Sequence, residues 1–287
     1  MRILVTGATG GVGRHVVDQL ISAGVQVRAL TRDPAKASLP PEAEVVRGDL
    51  TAPDELAAAF EGVDRLHLFP VEETAREVVA LAAKSGVGRI VDLSAAAITI
   101  GLYESPTEQA IEESGLEWTH VRPAEFMTNR LHLWGPDIRA RRVVRYPFPD
   151  ETGVPVHEAD IAAVSVAALL EDRFVGKALT LTGPARISAR EQAAAIGDAL
   201  GEEVRFEEVS REEALRLMKA QGGFAAENAE FLLGYQDYSG EDGGGEDGLS
   251  EQDYSELTRP WPDVEEATGR PALDFARWAK DRVDDFR

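Results

Sequence analysis

The chain of 287 residues has no cysteine. That excludes disulfides, thiolate catalysis and cysteine-based metal sites, and it is compatible with a cytoplasmic protein. No apolar run approaches the ~20 residues of a membrane-spanning helix. The opening MRILVTGATG carries one basic residue and breaks at once into glycines, so it reads as a buried strand entering a loop and not as a signal peptide. Basic charge is also scarce: 30 Lys/Arg against 51 Asp/Glu give a net charge of −21. Most of the imbalance falls in residues 151–287, with 14 basic against 30 acidic side chains. A field of that sign repels nucleic acid and anionic membrane, so neither is expected as a partner. The acidic excess itself reads as a solvated surface.

The first 125 residues alternate short apolar runs with helical patterns. RILVTG (2–7), QVRALT (26–31), AEVVRG (43–48), DRLHLF (64–69), RIVDLS (89–94) and EWTHVR (117–122) are six strand candidates. Between them GVGRHVVDQLISAG, APDELAAAFEG, VEETAREVVALAAKSG and PTEQAIEESG carry apolar residues at helical spacing, with closing glycines suited to C-caps. Strand, helix and strand repeated in this way predict an α/β fold, a doubly wound parallel sheet with helices on both faces. Beyond 158 the chain turns mainly helical. HEADIAAVSVAALLED is one helix and KALTLTG a further strand. SAREQAAAIGDALG opens on a capping box of Ser188 with Glu191, and SREEALRLMKAQGG repeats the device with Ser210 and Glu213. The expected organisation is a core over 1–150, to which 158–182 returns, and a smaller, mainly helical lobe over 183–287. The acidic, glycine-rich stretch 236–256 reads as a flexible surface insertion.

TGATGGVG (6–13) follows the first strand and opens a helix. In that context Gly7, Gly10 and Gly13 form a dinucleotide-binding turn. Gly7 permits the tight turn, Gly10 lets the backbone approach a pyrophosphate, and Gly13 lets the helix pack close. Thr9, Gly11 and Val12 complete the loop, whose free N–H groups face the phosphates. The second strand ends in Thr31 and Arg32, where an NAD-binding chain usually carries an acid. A guanidinium forks onto a phosphate, so Arg32 points to the 2′-phosphate of NADP(H), with help from Arg14. NAD(H) stays possible, since Arg32 also reads as a surface charge paired with Asp33. Asp49, followed by Leu50, ends the third strand, either at the adenine amine or as a turn residue.

TGATGGVG, VRALTRDP, RGDL, SGLEWTHVRPAEFMTN, PVHEADIAAV, LTGP and TGRPALDFARWAKD, in that order, resemble the NmrA-like atypical short-chain dehydrogenase/reductase family, in its NAD(P)H-binding, quinone- or azo-reductase-like subgroup. The resemblance spans nearly the whole chain. It implies a Rossmann core, a small C-terminal substrate lobe and a dinucleotide in the crevice. It also places Phe69 and Pro70 beside the cofactor as apolar wall, and Ser94 in the dehydrogenase serine region. In the wider family a tyrosine and a lysine four residues later move the proton. Here there is no lysine from 85 to 176, and no register rescues the pair. Instead SPTE (105–108) reads as a helix start, with Ser105 as N-cap, Pro106 at N1 and Glu108 at N3. Tyr103, in the loop before it, is a weak acid, a ring that stacks on substrate, or filler. Ser94 and His157 are the other candidates for proton or hydrogen-bond chemistry, and Phe126, Met127, Asn129 and His157 are candidate pocket residues. Asp160 reads as structural, and RARRVVR (139–145) as solvated surface or an anion site.

Ketone reduction needs immediate protonation of an alkoxide. A reduced quinone is a stabilised anion that water protonates, so the chain is expected to be an NADPH-dependent oxidoreductase of a quinone or related aromatic. Two alternatives stay open: a non-catalytic NADP(H)-binding redox sensor acting through protein partners, and a reductase or isomerase that tailors secondary metabolites. No metal is called for, and a monomer or homodimer is expected.

Overall fold

A computed structural model describes residues 1–236 and 255–287. The stretch read as a surface insertion lies, apart from its ends, outside these residues. In chain order the strands are β1 Arg2–Val5, β2 Gln26–Thr31, β3 Glu44–Arg47, β4 Arg65–Leu68, β5 Arg89–Leu93, β6 Glu117–Pro123, β7 Val143–Tyr146, β8 Thr152–Gly153, β9 Lys177–Leu181, β10 Ile187–Ser188 and β11 Arg205–Glu208. Two compact units arise. The first takes Met1–Ala124, Glu158–Leu181 and Trp261–Pro271; the second takes Glu125–His157, Thr182–Pro260 and Ala272–Arg287. Residues 125–150 thus fall in the second unit and 261–271 in the first.

The first unit is a seven-stranded sheet in the order β3-β2-β1-β4-β5-β6-β9. Every pairing in it is parallel. Its central strands are apolar runs because both faces are covered: Ile3, Leu4 and Val5, and Ile90 and Val91, are fully buried. The connections leave β1 toward β2 on one side and reach β4 on the other, so the strand order reverses between β1 and β4. At such a switch point the two loops diverge and leave a crevice at the carboxyl edge. This is the doubly wound α/β class expected from the alternation. The six early strand candidates and KALTLTG all pair. APDELAAAFEG does not form one helix; it breaks into a 3-10 turn, Pro53–Glu55, and a single turn of helix, Ala57–Phe60.

Buried charge ties the first unit together. Arg89 on β5 is 1% exposed. Its guanidinium meets Glu117 and Asp172 at 2.6 Å each and donates to the carbonyls of Ala168 and Glu171. Asp160 is structural, as expected, but its partner is a guanidinium: Arg270, from the TGRP motif, at 2.6 Å.

The second unit is helical around two short strand pairs, β7 with β11 in parallel and β8 with β10 antiparallel. Its core holds Met127, Trp134, Ile138, Val144, Ile196 and Trp278. Helices Asn129–Leu133, Gly135–Arg141 and Gly223–Leu232 complete it. Ser188 and Glu191 form the full capping box. At Ser210 only half forms: its hydroxyl accepts from the Glu213 N–H, while the Glu213 carboxylate turns to Arg216. The arginines of RARRVVR serve structure. Arg139 donates to the Asp285 carbonyl, Arg142 pairs with Glu202, and Arg145 grips Asp137 through two nitrogens. Among the described residues no helix is long and apolar enough to cross a membrane.

Candidate functional site

Parallel strands end on the same edge, and five of the expected site positions follow those ends in the first unit: the glycine turn after β1, Arg32 after β2, Asp49 after β3, Phe69 after β4 and Ser94 after β5. The turn is built around backbone contact. Gly7 has φ +60, a conformation L side chains rarely adopt. The Gly10 N–H donates to the Gly7 carbonyl at 2.9 Å. A Cβ on Gly13 would run into that same carbonyl, and would lie 2.9 Å from the Ala8 Cα. Helix Gly11–Ser22 therefore lies directly on the turn. Its N-cap, Gly10, offers no side chain, so its first N–H groups keep no side-chain partner. Around Gly11 a Cβ would meet nothing within 4 Å.

Side chains then fix the turn to its neighbours. The Thr6 hydroxyl donates to the His67 carbonyl at 3.1 Å and accepts the Phe69 N–H at 2.7 Å. Phe69 stands against Gly7 and is still 46% exposed, a ring available to a ligand at the switch point. Arg14 donates to three carbonyls, those of Thr9, Ala37 and Ser38, at 2.9–3.0 Å. It clasps the segment after β2 to the first helix, and among the described residues it forms no ion pair with a carboxylate. Arg32 is exposed, and its neighbour Asp33 pairs instead with Lys36 at 3.1 Å. Asp49 forms a turn: one oxygen accepts the Thr51 N–H and hydroxyl, which hold its carboxyl below the usual range. Leu50 is 8% exposed and packs in the first unit's core.

The segment after β5 holds a buried charged network. Helix Pro106–Glu113 starts as its sequence indicates, with Ser105 as N-cap accepting the Glu108 N–H. The Glu108 side chain, however, does not serve the cap. It is 5% exposed and receives Arg122 through two nitrogens at 2.9 and 2.6 Å, together with the Ser94 hydroxyl at 2.5 Å. Burial alone raises its carboxyl; Arg122 and Ser94 outweigh that and hold it below the ordinary range. Beside it, Asp92 on β5 faces His120 on β6 in register, with an oxygen 2.6 Å from Nδ1. Both are fully buried. Burial works to lower His120, but Asp92 outweighs it and raises the imidazole. Ligand atoms of Asp92, Glu108 and His120 lie within 4.8 Å of one another. Arg122 already supplies the positive charge there. Tyr103, half-buried before the helix, donates its hydroxyl to Glu72, and burial and that carboxylate push its phenol above the ordinary value.

The remaining expected residues belong to the second unit. Phe126 bridges Val156. Met127 is 1% exposed in that unit's core and also reaches the wall of a cavity there. Asn129 begins a short helix. His157 is 2% exposed, with Nε2 3.6 Å from the Asp281 carboxylate. Asp92, His120 and Arg122 were not among the residues expected from sequence. The available signal was their polarity inside runs that otherwise read as strands buried on both faces.

A family model described as NAD(P)H-binding matches residues 7–172. The (4-alkanoyl-5-oxo-2,5-dihydrofuran-3-yl)methyl phosphate reductase of Streptomyces griseus is 37% identical over 99% of this chain and 99% of its own. The NAD(P)H azoreductase of Xenophilus azovorans is 32% identical, over 97% of this chain and 96% of its own. Among solved structures, Citrobacter sp. triphenylmethane reductase complexed with NADP(H) superposes with TM-score 0.77 at 22% identity, covering 99% of this chain and 100% of its own. An NADPH-dependent quinone oxidoreductase of Escherichia coli gives 0.76 at 23%, covering 97% and 98%. At these identities the structures show a shared fold.

Two stability measurements check this geometry. Gly13→Ala should cost about 2–3 kcal/mol in urea unfolding, because backbone must move to admit the methyl; Gly11→Ala should stay within about 0.5 kcal/mol. Glu108→Gln should cost about 3 kcal/mol at pH 7 by leaving a guanidinium without its carboxylate. The Glu108 carboxyl is lowered in the fold. Its contribution is therefore complete above the unfolded value of about 4.3 and lost as pH falls through the folded value. The gap between wild type and variant should narrow below about pH 4.

Proposed function

We propose that this chain, which belongs to the NAD(P)H-binding family, is an NADPH-dependent reductase of the NmrA-like type that passes hydride to an activated acceptor without a tyrosine–lysine dyad. The glycine turn, with its uncapped helix N-terminus at the switch point, suits a pyrophosphate. Thr9, Gly10, Gly11 and Val12 would supply backbone to it, with Phe69 and Pro70 as wall. Arg32 would take the 2′-phosphate. The observation in favour is that Asp33 is occupied by Lys36, leaving Arg32 with no ion-pair partner among the described residues. Arg14, held only by carbonyls, adds positive potential without being consumed.

The acceptor class follows from how protons are held, and this observation carries the reading. Near the carboxyl edge the Ser94 proton goes to Glu108, the Glu108 charge goes to Arg122, and Tyr103 is bound to Glu72. A phenol pushed above its ordinary value is a poorer acid at neutral pH. Hydride transfer here therefore suits acceptors whose reduced form is a delocalised anion that water protonates, and positioning supplies most of the rate. Quinones and azo compounds have that property. So does an alkene flanked by two carbonyls, which is the core of the compound in the Streptomyces griseus relative's name.

The test is NADPH oxidation at 340 nm with a panel of quinones, azo dyes and doubly activated alkenes. Turnover is expected with NADPH preferred over NADH; tight NADPH binding with no turnover of any acceptor overturns the reductase reading in favour of a sensor. Tyr103→Phe should leave kcat within about threefold, whereas a loss of about 100-fold, the lower range of general-acid catalysis, would return the tyrosine to the mechanism. Arg32→Glu should lower kcat/KM for NADPH by about 10- to 100-fold, the worth of one charged hydrogen-bond partner, and leave NADH nearly unchanged.

A further inference from the structure

The second unit carries an open pocket of about 210 Å³, lined in part by apolar Met127, Pro155, Ile187 and Phe275. Three charged side chains also line it, Arg186, Glu191 and Asp274. They are not equivalent. Glu191 belongs to the capping box of helix Ala189–Leu200, accepting the N–H and hydroxyl of Ser188 at 2.8 Å each. Asp274 caps helix Phe275–Asp281, accepting the Arg277 N–H at 2.7 Å. Each carboxylate therefore sits on the positive end of a helix, which balances part of its charge. Arg186 has no such balance. Its guanidinium donates only to the Thr152 hydroxyl, at 3.2 and 2.9 Å, and no carboxylate pairs with it among the described residues. Thr152 is paired with Ser188 across β8 and β10, so the guanidinium is anchored to a strand pair. Two of its nitrogens point at one hydroxyl, leaving N–H groups of the fork unsatisfied by protein.

A cation held by a neutral hydroxyl beside an apolar lining is complementary to an anion carrying an apolar tail. We propose that this pocket binds a phosphate monoester: the phosphate on Arg186, and the alkyl or acyl portion against Met127, Ile187 and Phe275. That this ligand is a substrate rests on the reductase reading. The relative at 37% identity, named for a methyl phosphate that bears an alkanoyl group, carries both features on one molecule.

Binding is measured apart from turnover, by calorimetric titration of the full chain with hexyl phosphate, hexanol and inorganic phosphate. Hexyl phosphate should bind at least tenfold more tightly than either of the others, because only it has both parts. Arg186→Ala should reduce its affinity tenfold or more with an unchanged melting temperature, since the side chain is exposed, and Arg186→Lys should recover part of the loss. Equal binding of hexyl phosphate and hexanol, or an Arg186→Ala variant that binds like wild type, overturns the proposal. Wild-type turnover of menadione, an uncharged quinone, is measured in parallel. Arg186-dependent binding with no menadione turnover removes the reductase reading and leaves the anion site standing; turnover without Arg186-dependent binding does the reverse.

Discussion

The first βα unit depends on a side chain that is absent. Gly13 lies so close to the Gly7 carbonyl that any Cβ there would displace backbone. Because the contact is permitted, helix Gly11–Ser22 rests on the turn that precedes it, and its free N–H groups open onto the carboxyl edge of the sheet. That edge is also where the strand order reverses, between β1 and β4. The parallel sheet then does the rest of the assembly. With every strand running the same way, residues far apart in sequence, Arg32, Asp49, Phe69 and Ser94, necessarily follow strand ends on one edge. No individual contact between them is needed. On the proposed reading an anionic ligand at the turn would meet N–H donors, the Phe69 ring, and Arg14 and Arg32, neither of which forms an ion pair among the described residues.

Beneath helix Pro106–Glu113 the chain buries charge in place of a proton relay. The Glu108–Arg122 pair joins that helix to β6, and Ser94 adds the end of β5. Asp92 and His120 occupy facing register positions on the same two strands. Removing water from four ionisable groups costs free energy; the two-nitrogen contact of Arg122 with Glu108 offsets part of it, while one Asp92 oxygen and the His120 Nε2 stay buried without a hydrogen-bond partner. Such a network is rigid for the same reason it is stable. The Ser94 proton and the Arg122 fork are committed to Glu108, and the Nδ1 side of His120 to Asp92. Tyr103 leads to the same conclusion from the loop, with its hydroxyl on Glu72. On the proposed reading a hydride acceptor at this edge would have to tolerate becoming an anion, a constraint on chemistry that would arise from how the fold is held.

Periodicity and glycine placement made the sheet legible, since a strand buried on both faces leaves a short apolar run and a tight βα turn leaves glycines at fixed offsets. Helix Pro106–Glu113 was legible for a similarly local reason: Ser105, Pro106 and Glu108 each act within one turn. What Glu108 does with its carboxylate was not legible, because the capping pattern explains the residue type equally well and Arg122 is 14 positions away. Ser210 shows the same ambiguity, where Arg216 draws Glu213 away from the cap. Asp92 and His120 stood in the strand candidates RIVDLS and EWTHVR as polar exceptions, and only the pairing register shows that they meet. Helices Asn129–Leu133 and Gly135–Arg141 were not read from the sequence, which placed 125–150 with the core, whereas these residues pack in the second unit.

The acidic excess sharpens what the remaining cations mean. With 51 acidic residues against 30 basic ones, a carboxylate is the statistically available partner for any arginine. Most behave accordingly: Arg28, Arg89, Arg122, Arg130, Arg142 and Arg145 all end on Asp or Glu. Among the described residues Arg14, Arg32 and Arg186 do not, and neither do Arg47, Arg141, Arg139 and Arg211, the last two of which rest on the carbonyls of Asp285 and Leu233. Arg14 is held by three carbonyls and Arg186 by a hydroxyl, neutral acceptors that fix a guanidinium without discharging it. Keeping a cation unpaired in a strongly negative chain gives up an attraction that neighbouring acids would provide, so the geometry has to prevent the pairing. At Arg32 this happens because Lys36 takes Asp33. At Arg186 it happens because Glu191 and Asp274 are engaged by helix N-termini. On the proposed reading Arg14 and Arg32 in one unit and Arg186 in the other would each meet an anion that is not part of the chain. A dinucleotide 2′-phosphate and a substrate phosphate are anions of the same kind, and a chain that repels anions in general would admit them only where such arginines have been kept free.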